Sequence, residues 1–122
     1  MEHSPISQVQ IDVRPGSSPD VAILKATGPL TIHNFFDFQA LSREQAARVL
    51  LVDLSDVPYI DSAALGSLVG VHVSRMNSAK RYAIVGANDR LQRMFEVTGV
   101  GQFLVTFPSA DLALAQFANA GA

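Results

Sequence analysis

The chain contains no cysteine among its 122 residues. That excludes disulfide staples, thiolate metal sites and a thiol nucleophile. The absence is compatible with an intracellular setting and by itself assigns no compartment. Charge is also sparse, with 16% charged residues and a formal net charge of −2. No basic block is present, so nucleic acid is not an expected partner. The opening Met1-Glu2-His3-Ser4-Pro5 has no positive region and no apolar run, so no signal peptide is expected. No stretch approaches the roughly 20 apolar residues of a spanning helix, so no membrane insertion is expected. The expectation is a soluble, cytoplasmic protein. No internal repeat, linker or low-complexity segment interrupts the chain.

What is present is a core. The hydrophobic fraction is 48%, which argues against disorder. A chain of this length can bury about two-thirds of its surface. One domain over residues 1–122 is expected, with its core at about 6–118.

Ile6, Val9, Ile11 and Val13 lie among polar residues over 6–14, with a period of two from position 8. That pattern predicts a strand with one wet face. Pro15-Gly16-Ser17-Ser18-Pro19-Asp20 reads as a turn, and Val21–Ala26 as a second strand completing an antiparallel hairpin. Leu30, Phe35, Phe38, Leu41 and Gln45 share helical spacing, predicting a helix from Thr31 or His33 to about residue 47. Phe35, Phe36 and Phe38 are expected to anchor it on the sheet; a partner-binding aromatic patch is the sharper alternative.

Val49–Val52 is apolar at consecutive positions, as in a strand covered on both faces. A polar loop over 55–61 leads into a helix over 62–78, with Leu65, Leu68, Val69, His72 and Met76 as its apolar stripe. His72 there reads as a satisfied core histidine, and Gly66 and Gly70 as room for close helix-to-sheet approach. Tyr82–Val85 is a buried strand. Asn88 or Asp89 caps a helix bearing Leu91, Met94 and Phe95, stopped near Gly99. Phe103–Phe107 reads as a last strand, and Pro108-Ser109 opens a final helix using Leu112, Leu114, Ala115 and Phe117. Strands alternating with helices after a hairpin predict an α/β fold. Its single mixed, mostly parallel sheet would carry about four helices.

The chemistry concentrates at Asp61-Ser62, where loop becomes helix. Tyr59-Ile60-Asp61-Ser62-Ala63-Ala64 is not the G-x-S-x-G of a hydrolase elbow, and no motif brings a histidine to Ser62. Asp53, Asp56 and Asp61 flank one loop without metal-ligand spacing. A receiver domain would place Asp53 similarly, but it needs an acidic pair after its first strand. Here the strands end in Arg14-Pro15 and Thr27-Gly28. No phosphate loop is present. No catalytic residue, cofactor or metal is expected. Two readings of Ser62 remain: an ordinary N-cap, or a hydroxyl placed where a helix dipole would favour an added phosphate.

Asp53-Leu54-Ser55-Asp56-Val57 followed by Ile60-Asp61-Ser62-Ala63-Ala64-Leu65-Gly66 resembles the signature of the STAS domain, and within it the bacterial anti-sigma factor antagonists. Leu91–Val100, with Phe95 and Thr98-Gly99, is similar to that family's second element, and Gly28-Pro29-Leu30 to its G-x-L element. The resemblance covers nearly the whole chain and implies a STAS fold. It also implies partner switching. The unphosphorylated antagonist binds an anti-sigma factor that is itself a serine kinase; phosphorylation ends binding, and a serine phosphatase reverses it. The matching phosphoacceptor is Ser62, preceded by Asp61. Asp53, Ser55, Asp56, Ala63 and Thr31 are the implied supporting or partner-binding positions. The implied protein is a substrate and binder, not an enzyme.

Two departures stand out. Thr31 replaces an acid common near the partner-binding surface, and Ala63-Ala64 replaces serine-glycine, leaving Ser62 without a neighbouring hydroxyl. The competing reading is a STAS scaffold subunit of a signalling assembly or lipid-transport ATPase complex, with Ser62 a structural cap. A nucleotide-binding STAS domain is a third, lacking a phosphate loop. Monomer and homodimer are both left open.

Overall fold

The structure, a computed structural model, describes residues 10–16 and 18–120. Its strands are β1 (Gln10–Pro15), β2 (Val21–Thr27), β3 (Val49–Asp56), β4 (Arg81–Val85) and β5 (Thr106–Phe107). Its helices are α1 (Phe35–Glu44), α2 (Ser62–Asn77), α3 (Asp89–Thr98) and α4 (Ala110–Ala120). The sheet order is β1-β2-β3-β4-β5. The β1–β2 pair is antiparallel and every other pair is parallel. The expected mixed, mostly parallel sheet led by an antiparallel hairpin is therefore present. The part of the first strand predicted over 6–9 lies outside the described residues.

Helices α1, α2 and α3 cover one face of the sheet. There Phe38, Leu68 and Leu91 pack with Leu24, Leu50, Val52 and Ile84. Helix α4 covers the other face through Ala113, Leu114 and Phe117 against Val21, Val49, Leu51 and Val85. β3 is thus buried on both sides, as its unbroken apolar run requires. Each fully buried Leu or Phe contributes roughly 1.5–3 kcal/mol.

Several expectations need correction. α1 starts at Phe35 rather than at Thr31 or His33 and ends at Glu44. Only Phe38 anchors it fully; Phe35 packs partly on the core, and Phe36 is 70% exposed and stacks on Phe35 at 4.2 Å between centroids. On α2 Leu65 and Leu68 are buried as expected, but the stripe continues through Ala64, Val71 and Arg75, while Met76 is 61% exposed. His72 is only half-buried, beside Tyr82, and its Nδ1 has no hydrogen-bond partner among the described residues. A Cβ built at Gly66 or Gly70 would meet nothing within 4 Å, so neither glycine serves close packing on the sheet. The predicted strand over 103–107 shrinks to Thr106–Phe107, because Val100–Gln102 forms a 3₁₀ turn. Among the described side chains of α4 Ala113 is buried, and Leu112 is 54% exposed.

Arg75, which drew no attention in the sequence, is buried in the second half of α2. Its guanidinium donates to the carbonyls of Arg81 (2.8 Å), Gln45 (3.1 Å) and Ala47 (2.7 Å). Burial lowers its pKa. The side chain ties α2 to the α1–β3 connection and to the start of β4.

Candidate functional site

The site is built at the carboxyl ends of the strands, where open α/β sheets place ligands. Residues 57–61 connect β3 to α2. Val57 and Ile60 are buried and hold this loop down, while Pro58 and Tyr59 face outward. The loop is stitched to the segment after β2 by an isolated parallel bridge, Leu30 with Ile60. The Leu30 N–H donates to the Tyr59 carbonyl at 3.2 Å, and the Asp61 N–H donates to the Leu30 carbonyl at 3.1 Å.

Asp61 is the N-cap of α2, with extended backbone angles of −87° and 177°. Its Oδ1 accepts the Ala64 N–H at 2.9 Å, the usual capping bond. Its Oδ2 accepts the Ile32 N–H at 2.8 Å. One carboxylate thus closes the helix end and straps the Leu30–Asn34 segment to it. Ser62 is the first helical residue and is exposed. Among the described residues no hydrogen-bond partner meets its hydroxyl, because Asp61 already does the capping. Ala63 is half-buried in the first turn and Ala64 is buried.

Thr31 is buried and turned inward. Its Oγ1 accepts the His33 N–H at 3.2 Å, and its own N–H donates to Asn34 Oδ1 at 2.9 Å. Asn34 Nδ2 in turn donates to the Pro29 carbonyl at 3.0 Å. Thr31 therefore shapes the strapped segment, and the exposed residue beside it is Ile32, at 58%. Tyr59 is 40% exposed, with the Arg90 guanidinium 5.6 Å from its ring centre. Ile32 and Tyr59 are exposed apolar side chains on the segments bordering Asp61-Ser62, and Phe36 is exposed on the first turn of α1. Sequence reading missed Ile32 and Tyr59; nothing in a single hydrophobic residue signals that the fold leaves it outside.

The remaining predicted positions form a separate cluster. Asp53 and Ser55 continue the β3 positions that face α4, the side of the sheet opposite α2. The Ser55 hydroxyl donates to Asp53 Oδ1 at 2.7 Å, and the Ser55 N–H donates to the same oxygen at 2.9 Å. Lys25, paired with Asp53 in the β2–β3 register, donates to Ser55 Oγ at 3.0 Å. Lys25 Nζ also lies 3.1 Å from Asp56 Oδ2 and 3.6 Å from Asp53 Oδ2. Burial alone pushes the Asp53 carboxyl up. The Ser55 hydrogen bonds and the Lys25 charge outweigh it and leave the pKa below the ordinary value. Gly86 completes the cluster at φ +74°, where a Cβ would sit 3.0 Å from Ser55 Cβ. This network locks the end of β3; it does not join Ser62. Lys25 had a sequence signal, a lone cation inside the apolar run Val21–Thr27.

His72 lies ten positions beyond Ser62 on the same helix, about 15 Å along the axis at 1.5 Å per residue. It is not placed to act as a base for Ser62. Among the described residues no group of three or more His, Cys, Asp or Glu could hold a metal ion, and no helix is long and apolar enough to cross a membrane.

An anti-sigma-B factor antagonist of Staphylococcus aureus is 31% identical over 80 residues, covering 63% of this chain and 74% of the relative. One from Listeria monocytogenes is 39% identical over 56 residues, covering 46% of this chain. That match spans 49%, about half, of the Listeria relative's length. An anti-sigma factor antagonist from Mycobacterium paratuberculosis has a similar fold, with TM-score 0.79, 17% identity, and coverage of 93% and 96% of the two chains. The phosphorylated form of the Bacillus cell fate determinant SpoIIAA matches with TM-score 0.66 at 14% identity, covering 88% and 98%. The anion transporter SLC26A9 contains the same fold within 20% of its own chain, with TM-score 0.72, 18% identity and 84% of this chain covered. Fold alone does not assign a role. The STAS domain model matches residues 12–113; with the hairpin-led mixed sheet and the Asp61-capped helix that follows β3, this chain belongs to the STAS domain family.

Proposed function

We propose that this chain is an anti-sigma factor antagonist, a binder and kinase substrate rather than an enzyme. It binds an anti-sigma factor with serine kinase activity, phosphorylation of Ser62 ends that binding, and a serine phosphatase restores it. The observation that carries the reading is the division of labour at the helix start. Asp61 caps α2, which leaves the Ser62 hydroxyl exposed and uncommitted. The scaffold reading gives Ser62 the role of structural cap, a role that Asp61 fills here. The names of the Staphylococcus and Listeria relatives support the same role.

The physical logic follows from charge. A phosphoserine carries about −1.5 to −2 charges. At the first turn of α2 the free N–H groups and the dipole favour that charge, so the fold tolerates it. The surroundings do not: Ile32 and Tyr59 offer a partner apolar contact. A dianion amid such contacts must be desolvated on docking, which opposes binding. Asp61, Ala63 and Thr31 shape this surface, and Asp53, Ser55 and Asp56 steady the strand that leads to it.

Incubation with the cognate anti-sigma kinase and ATP, followed by peptide mass spectrometry, tests the assignment. Phosphate is expected on Ser62 and absent from Ser62→Ala. Phosphate on another residue, or none, overturns it. Ser62→Asp is expected to weaken anti-sigma binding at least about tenfold, with a native far-UV circular dichroism spectrum.

A further inference from the structure

A cavity lies at the opposite end of the sheet from Ser62, where β2, β3 and β4 begin beneath α4. Its volume is about 250 Å³. The floor is apolar: Val21 and Val49 from the strands, Leu114 and Phe117 from α4. Arg48 and Arg81 stand at its rim. Their main chains are bonded, the Arg81 N–H donating to the Arg48 carbonyl at 2.7 Å, so the two residues are neighbours at the rim. The Arg81 guanidinium lies 5.7 Å from the Phe117 ring centre, held against the apolar wall.

Asp20 is the opposing charge at the rim, giving the cavity a formal excess of one positive charge. It neutralises neither arginine at contact distance. Among the described residues the ion pairs are those of Lys25 with Asp53 and Asp56. Two backbone donors here are already paired. Val49 N–H donates to the Asp20 carbonyl at 2.9 Å, and Val21 N–H to the Ser18 carbonyl at 3.1 Å. Recognition of a ligand head therefore falls to the guanidinium groups, whose fork geometry suits carboxylate and phosphate. The volume is below the roughly 300–1,000 Å³ of ordinary small-molecule sites, too small for a nucleotide.

From the apolar floor, the paired arginines and the size, we infer that this cavity binds a small amphiphile with one anionic head, carboxylate or phosphate, and a short apolar tail. The tail lies on Val49, Leu114 and Phe117; the head meets Arg48 and Arg81. This inference is independent of the role assigned to Ser62.

The test is an amide NMR titration of the full chain with octanoate, octyl phosphate, octanol and octylamine in parallel. At least one anionic probe is expected to shift the Val21, Val49, Arg81, Leu114 and Phe117 amides saturably, leaving Ala64 unmoved. It should bind roughly tenfold or more tightly than octanol or octylamine. Octanoate and octyl phosphate together distinguish the preferred head. The double variant Arg48→Gln/Arg81→Gln should lose the preference for anions while binding octanol as before. No saturable shift with either anion, equal binding of octanol or octylamine, or an unchanged preference in the double variant overturns the inference. Should the double variant fail to fold, the charge series on the native chain decides alone.

Discussion

Replacing Asp61 with alanine removes two acceptors at once, and the structure allows the cost to be worked out. Loss of the bond from Ala64 N–H is the loss of an N-cap, typically about 1 kcal/mol. Loss of the bond from Ile32 N–H removes a hydrogen bond to a charged group, about 1.5–3 kcal/mol where water does not replace it. Ile32 is exposed, so water recovers part of that second loss. The expected total for Asp61→Ala is roughly 2–3 kcal/mol. For a domain of this size that corresponds to roughly 6–15 °C in Tm. Asp61→Asn keeps one carbonyl oxygen and should lose about half as much. Urea denaturation followed by circular dichroism measures both. Amide hydrogen exchange locates the effect: protection should fall at Ile32 and Ala64 in the alanine variant. The reasoning is refuted if Asp61→Ala stays within about 0.5 kcal/mol of the native chain, the usual size of a neutral surface change. Ser62 would then be able to take over the cap, and its availability to a kinase would lose its structural basis.

Gly70→Ala should stabilise the protein by about 1 kcal/mol, because alanine is the better helix former and a Cβ there meets nothing within 4 Å; a thermal melt reads the gain. Gly86→Ala should cost about 1–3 kcal/mol from left-handed strain, since φ is +74° and the new Cβ crowds Ser55; a lower urea midpoint is the expected result. The depressed Asp53 pKa makes its contribution fully present above the unfolded value near 3.9. That contribution is lost as pH falls through the lower folded value, so Asp53→Asn should flatten the stability profile below about pH 4. Urea midpoints measured at several pH values read this, and a slope there identical to the native chain's would contradict it.

Local order was legible because its causes are local. The run Val49–Val52 could only be a strand covered on both faces, and it is buried throughout. Asn88 or Asp89 announced the start of α3, and Asn88 caps it through the Leu91 N–H at 2.8 Å. Gly99 announced its end and sits at φ +78°. Such signals act within a few residues, so no knowledge of the partner strands is needed. The Asp61-Ser62 junction was legible in the same way: a short polar pair before an apolar helical stripe marks a helix start.

Which residue of that pair caps was not legible. Asp and Ser are both good N-caps. The choice falls on Asp61 because its second oxygen also reaches Ile32, and that contact joins residues 29 positions apart in the chain. The same holds for Lys25, whose partners become visible only once β2 and β3 are in register. It holds for Arg75, a cation inside a helix stripe that only the carbonyls of Gln45, Ala47 and Arg81 explain. Periodicity likewise overestimated Phe36, Met76 and the strand before Phe107, because it reports which side chains could be buried and not how far a neighbouring layer extends. The sequence alone determined the layers, the alternation of strand and helix, and the position of Ser62 at a helix start. The tertiary structure decided that Asp61 is the cap and Ser62 the free hydroxyl. It also decided that Asp53, Ser55 and Lys25 form a separate lock. The cap choice and the Lys25 contacts depend on segments about 30 residues apart being brought together, where register and distance, rather than local propensity, govern the energy.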